Sequence, residues 1–386
     1  MKPVVILGSG HAGYATAREF RKHDAQTPLV LITADDGTSY TKPMLSNAMA
    51  RGKTADQLAQ ASAEQMGEQL DARILTHTHV ESIDADERRV RCSDGTAIEA
   101  AAIVLGVGAE QIEPALGGDA AGAVMAVNDL TAYARARAAL DAAERVVIIG
   151  GGLIGCEFAN DWVKGGYAVT VIEALEHPLG RMLPPQAGAA LRAGLERAGV
   201  EVITERKVDA VERTDAGFSV IDSSGERHGA DVVFRALGLQ PRTRLASAAG
   251  LDTGRGIRTD RRLETSKAGI YALGDCAEVD GVVLPFIMPI NNAARALGAT
   301  LAGTPTEVHY PVMPVIAKTP ACPIQLYTPP PEVAGTWREE VLDSGGVRGL
   351  FHDPQGRLRG FVLTGPAVTQ KAELAAQVPA YFDNRD

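Results

Sequence analysis

Two stretches 142 residues apart align without a gap: Val4-Val5-Ile6-Leu7-Gly8-Ser9-Gly10-His11-Ala12-Gly13 and Val146-Val147-Ile148-Ile149-Gly150-Gly151-Gly152-Leu153-Ile154-Gly155. Each is a four-residue apolar run, a glycine loop, a helical pattern (Tyr14 to His23; Cys156 to Lys164) and a second apolar run (Leu29 to Ile32; Val169 to Ile172). Strand, loop, helix and strand, twice over, predict parallel sheets. Runs that are apolar throughout, rather than at alternate positions, fit strands covered on both faces. The expected fold class is α/β, with two Rossmann-like dinucleotide-binding domains.

Composition closes off other large classes. With 386 residues, 45% of them hydrophobic and 22% charged, the chain has room for two or three globular domains of about 100 to 200 residues. The longest apolar stretches, Val146 to Cys156 and Gly281 to Ile290, fall short of the roughly 18 to 20 residues that a membrane helix needs. No basic segment followed by an apolar one opens the chain, so no signal peptide is expected and a cytoplasmic location is the default. A net charge of −10, with both signs scattered, disfavours nucleic acid. Cys92, Cys156, Cys276 and Cys322 form no C-x-x-C pair, so neither a metal site nor a local redox disulfide is signalled.

The glycines carry the first chemistry. In a loop of this kind the first glycine permits a tight turn, the second lets a pyrophosphate approach the backbone, and the third lets the helix pack on the strand. The helix N-terminus meanwhile offers N–H groups and a positive dipole end to the anion. Gly8, Gly10 and Gly13, with Ser9, His11 and Ala12, form one predicted cradle; Gly150, Gly152 and Gly155, with Leu153 and Ile154, form the other. His11 faces either the pyrophosphate or solvent. Glu173 closes the second unit, where a carboxylate accepts a hydrogen bond from a ribose 2′-hydroxyl and repels a 2′-phosphate, so NADH is predicted over NADPH. In the first unit Thr33 stands at that position, followed by Ala34, Asp35 and Asp36; which of them meets a ribose is open.

Three further segments complete a pattern: Ala101 to Ala109 with Gly106 and Gly108, Ala236 to Thr243 with Gly238, and Ile270 to Asp275 with Gly274. In order and spacing these segments and the two loops resemble the two-dinucleotide-domain flavoprotein reductases, from residue 4 to about residue 303. The resemblance implies FAD in a first domain split between residues 1–110 and 239–309, and NADH in a domain inserted at 111–238. It further implies that Asp275 accepts a hydrogen bond from the flavin ribitol. Ile287 and Met288, at a helix end aimed at the flavin pyrimidine, supply backbone contacts. Val80, Lys42, Pro43 and Lys318 complete the implied FAD contacts. Residues 310–386, punctuated by prolines and with a hairpin-like turn at Asp353-Pro354-Gln355-Gly356, read as a small α+β C-terminal domain.

Cysteine placement narrows the family. Its disulfide reductases carry C-x4-C in the first helix after the glycine loop, and its thioredoxin reductases carry C-x-x-C in the nicotinamide domain; this chain has neither. Its NADH peroxidases and oxidases carry one redox cysteine just after the segment matching Tyr40 to Ser46, where this chain has Asn47 and Ala48. Electrons are therefore expected to leave for an outside acceptor. Tyr40-Thr41-Lys42-Pro43-Met44-Leu45-Ser46 resembles the Y-x-R-P-P-L-S run of ferredoxin reductase-like enzymes, with Lys42 for arginine and Asn47 for a lysine that pairs with a glutamate. The glutamate is kept as Glu157. Lys42 either stands in at the flavin or is a solvated lysine, and Lys318 is the other candidate cation.

These departures, the Val315 to Pro323 stretch and the short C-terminal domain look most like bacterial NADH:rubredoxin reductases, over nearly the full chain. That resemblance implies FAD, NADH and one-electron transfer to the iron of a separate rubredoxin, serving alkane hydroxylation or oxygen detoxification, in a monomer or homodimer. It gives Glu157 the nicotinamide side of the reaction, and Lys42 and Lys318 the tuning or gating of the flavin. Composition and spacing themselves show only an FAD/NADH enzyme without its own redox cysteine. A ferredoxin reductase-like enzyme, a flavin NADH oxidase and a non-catalytic NADH-sensing flavoprotein remain as rivals. Rubredoxins tend to be acidic, so a chain of charge −10 needs a local basic face, around Lys42, Arg51, Lys53 and Lys318. His77 and His79 read as neighbours on a strand surface without a third ligand, and Cys156 and Cys276 as buried packing; no metal is expected.

Overall fold

In the computed structural model, which describes residues 1–385, the run Val4–Leu7 becomes strand β1, with Val5 and Ile6 wholly buried. Helix α1 (His11–His23) connects it to the parallel strand β2 (Leu29–Ile32). β1 is the centre of a five-stranded parallel sheet, continued by β2 and Ala72–Leu75 on one side and by Ala102–Leu105 and Ile270–Ala272 on the other. Burial of each Val, Leu or Ile here contributes roughly 1.5–3 kcal/mol. The helix Ile287–Leu301 packs along α1 at Gly298, where a Cβ would stand 2.7–2.8 Å from Glu19 and Phe20 atoms.

The chain divides into two compact units. The first comprises Met1–Thr41, Ala59–Glu110 and Leu239–Tyr310; the second comprises Lys42–Leu58, Gln111–Gly238 and the residues from Pro311 onward. The second repeats the theme as strand β3 (Arg145–Ile149), helix α2 (Leu153–Lys164) and strand β4 (Ala168–Ile172), in a parallel sheet completed by Val200–Ile203 and Val232–Arg235. Helix α3 (Pro185–Arg197) opens on a proline, where the missing N–H costs nothing. A three-stranded antiparallel sheet packs Val211, Val220 and Ala230 against Val147 and Ile149. The C-terminal part is a five-stranded antiparallel sheet with Val315–Ala317 (β5) at one edge and Thr336–Val341 at the other.

Two local expectations need correction. The last helix of the first unit, which the sequence pattern places from about Asn291 to Ala302, starts at Ile287, so Ile287 and Met288 lie in its first turn together with Pro289. A proline there removes an N–H that has no intrahelical partner anyway. His77 and His79 are not strand neighbours: the strand Ala72–Leu75 ends before them, and His77 turns at φ +49° with its N–H donated to the Asp35 carbonyl at 2.8 Å. No helix among the described residues is long and apolar enough to cross a membrane.

Candidate active site

The two glycine loops repeat one geometry. Gly8 (φ +109°) and Gly150 (φ +105°) occupy backbone space that only glycine enters cheaply. A Cβ on Gly13 would stand 1.9 Å from the Gly8 carbonyl oxygen, and one on Gly155 2.0 Å from that of Gly150, so both positions are closed by the protein's own backbone. Gly10 is the opposite case, with no atom within 4 Å of such a Cβ, and Gly152 meets only the Ala236 oxygen at 3.8 Å. These open sides lie at the N-caps of α1 and α2, which have no capping side chain and no acid in their first turns. Free helix-end amides beside open glycines fit an anionic pyrophosphate.

Around the first loop, Thr33 Oγ1 donates to Asp35 Oδ1 at 2.6 Å, and Ser9 Oγ lies 2.9 Å from Thr33 Oγ1 and 3.1 Å from Asp35 Oδ1. The three form one chain, with Asp35 exposed at its end and Ala34 exposed beside it. His11 Nε2 lies 2.7 Å from Asn291 Oδ1, tying the start of α1 to the helix that Ile287 and Met288 open. Ala12 packs under Gly274, whose Cβ would meet it at 2.8 Å, and Asp275 follows, half-buried. Gly106 backs the loop near Leu7 and Gly13, Gly108 (φ +68°) borders open space, and Val80 begins a strand, half-buried.

In the second unit, Glu173 Oε2 accepts the Gly151 N–H at 2.6 Å and Oε1 that of Leu175 at 2.8 Å, so this carboxylate is built into the loop. Leu153 and Ile154 form the first turn of α2, and Gly238 is exposed at φ +97°. Glu157, two residues past Gly155, is 1% exposed. Its Oε2 accepts Ser46 Oγ–H at 2.5 Å and the Lys318 ammonium; its Oε1 accepts the Lys318 N–H at 2.9 Å. Ser46 comes from the 3-10 turn Lys42–Asn47, which also holds Lys42 and Pro43, both half-buried. The turn ends at Asn47, where a lysine is expected to pair with the glutamate, and Lys318, just past β5, pairs with it instead.

A family model described as pyridine nucleotide-disulphide oxidoreductase matches residues 2–298. The chain belongs to that family. A second model, the rubredoxin binding C-terminal domain, matches residues 307–378. Among similar proteins are the rubredoxin-NAD(+) reductases of Alcanivorax borkumensis, 47% identical over 98% of this chain and 99% of that protein, and of Acinetobacter baylyi, 42% identical over 98% of each. The structure of NADH:rubredoxin oxidoreductase from Clostridium acetobutylicum, 19% identical, shares the fold with a TM-score of 0.80 over 97% of this chain and 94% of that one.

For a pyridine nucleotide-disulphide oxidoreductase the thiols are unsuited to redox work. All four are free and buried. Burial, reinforced by the charges of Glu173 and Glu157, pushes the Cys156 thiol far up, and its Sγ–H is donated to the Gly151 carbonyl at 3.2 Å. Burial likewise pushes Cys276 up to about 11. Burial thus disfavours, in both, the thiolate that nucleophilic sulfur chemistry needs. Asn160 and Asp161 are polar residues of this region that sequence reasoning passed over, and Ser46 enters it only as part of the Tyr40 to Ser46 run. Asn160 and Asp161 stand three and four residues past Glu157 on the same helix, a spacing that by itself is equally that of a solvated flank.

Proposed function

We propose that this oxidoreductase is an FAD-dependent, cytoplasmic enzyme that takes electrons from NADH and hands them one at a time to the iron of rubredoxin. The observation that carries the reading is Lys318. It lies within the segment matching the rubredoxin binding domain, and both its ammonium and its N–H close on Glu157, two residues past the second glycine loop. The acceptor-binding and nucleotide-binding parts of the chain thus share one buried carboxylate.

FAD supplies a carrier that accepts a hydride and releases electrons singly. The protein's own groups hold and orient. The first-turn amides that follow Gly10 and Gly152 would take the two pyrophosphates. Thr33 and Asp35 would hold the FAD ribose, while Asp275, Ile287 and Met288 would contact the ribitol and ring. Glu173 presents acceptor oxygens to a 2′-hydroxyl and repels a 2′-phosphate, which selects NADH. Glu157, fixed by Ser46 and Lys318, would orient the nicotinamide, and Lys318 with Lys42 would supply positive charge to tune the flavin. One NADH serves two rubredoxins. The iron of the acceptor needs paired C-x-x-C thiolates, a pattern these 386 residues do not contain. Lys42 and Lys318, with the exposed Arg51 and Lys53, give the second unit cations for an acidic partner. Alkane hydroxylation or oxygen detoxification is the chemistry this supply would serve.

The purified protein should be yellow, bleach with NADH and reoxidise at turnover rates with rubredoxin but not with ferredoxin. A colourless protein, or one preferring NADPH, overturns the reading. Glu157→Ala is expected to slow bleaching by NADH in stopped flow about ten- to a hundredfold; an unchanged rate removes Glu157 from the site.

A further inference from the structure

Helix α2 buries Glu157, Asn160 and Asp161, which are 1%, 2% and 3% exposed, among Cys156, Phe158, Ala159 and Trp162. Spacings of three and four place them on one flank. Polar groups so buried are costly unless hydrogen-bonded, and each of these accepts from a segment remote in sequence. Asp161 accepts the Met49 N–H at 2.9 Å and the Ala50 N–H at 3.0 Å. Asn160 Oδ1 accepts the Ala321 N–H at 3.0 Å. Each contact lies three residues beyond a partner of Glu157: Met49 follows Ser46, and Ala321 follows Lys318.

We propose that Asp161 and Asn160 are positioning residues: Asp161 anchors the turn that presents Ser46 to Glu157, and Asn160 anchors the segment that presents Lys318 to it. The proposal deepens the reading of Glu157 and Lys318 given above, although the anchoring itself does not depend on the identity of the acceptor. The two anchors act on different donors to one carboxylate, one on a hydroxyl and the other on an ammonium. A displacement of about 1 Å at such a group costs up to about a hundredfold in rate.

Hydrogen exchange of the full-length, flavin-loaded protein, resolved by peptide, tests the anchors separately. Asp161→Ala is expected to speed exchange at Met49 and Ala50 about tenfold or more while residues 318–321 stay protected, and Asn160→Leu, similar in volume but without an acceptor, is expected to do the reverse. Both should slow flavin bleaching by NADH about ten- to a hundredfold with KM for NADH within about twofold, and Asp161→Asn, which keeps one acceptor oxygen, should recover much of the rate. Should Asp161→Ala fail to fold, Asp161→Asn carries the test, with exchange raised in the 46–50 segment alone. Unchanged exchange at the matching segment, or altered exchange with a wild-type bleaching rate, overturns the proposal. Failure of rubredoxin to reoxidise the flavin would instead strike the acceptor assignment and leave these readouts standing.

Discussion

The two strand–loop–helix units share their backbone plan and differ in what their helices bury. At the 142-residue offset, Glu157, Asn160 and Asp161 correspond to Ala15, Arg18 and Glu19, of which Arg18 is exposed and the other two are half-buried. The closing carboxylates differ as well. Glu173 stands directly at the end of β4 and binds the loop amide itself, whereas Asp35 lies farther along, exposed, and reaches its loop through Thr33 and Ser9. The cradle recurs because it is made of backbone and missing Cβ atoms. The carboxylates that close the two loops, and the polar groups on the two helices, are side chains and have diverged.

The third glycines break this comparison with the largest effect. Gly13→Ala is expected to yield protein without flavin, while Gly155→Ala keeps the yellow colour and loses bleaching by NADH about a hundredfold or more. Flavin absorbance and an NADH titration distinguish them; loss of flavin from both would mean that the loops do not serve different nucleotides. The closing carboxylates come next. Glu173→Gln removes the charge but keeps the shape, and should lower the kcat/KM preference for NADH over NADPH about tenfold, the size of one charge-assisted hydrogen bond. Asp35→Asn should raise the flavin dissociation constant less than about threefold, because an exposed charge is screened by solvent. Equal effects would show that the two units read their riboses alike.

What was legible in the sequence follows the same division. The loops and the parallel α/β fold could be read because apolar runs and glycine spacing are local. The Glu157–Lys318 pair could not, because 161 residues separate its members and only tertiary packing sets their register. Asn47, where a lysine is expected, pointed to a lost partner without saying where the replacement stood. Asn160 and Asp161 escaped because periodicity does not distinguish a solvated flank of a helix from one covered by other segments. The helix expected from about Asn291 in fact begins at Ile287, because a proline in the first turn, Pro289, gives up an N–H that has no helical partner there.

The smallest effect sharpens the difference between the helices. Burial holds the Asp161 carboxyl above its ordinary value, although the Met49 and Ala50 amides, Arg51 and Lys164 all pull it down; Tyr133 also faces it. A carboxyl whose folded value exceeds its unfolded one binds its proton more tightly in the folded state. Its contribution to stability is therefore complete below the unfolded value, about pH 4, and is lost as pH rises through the folded value. Asp161→Asn removes that dependence, so the stability of wild type relative to the variant should fall as pH rises from about 4 towards 7. Urea melts across this range measure the difference, in which the protein's other carboxylates largely cancel. A difference that grew with pH would mean that the two amides and the neighbouring cations outweigh burial, making Asp161 a stabilising charge rather than one that α2 tolerates in order to hold the Ser46 turn.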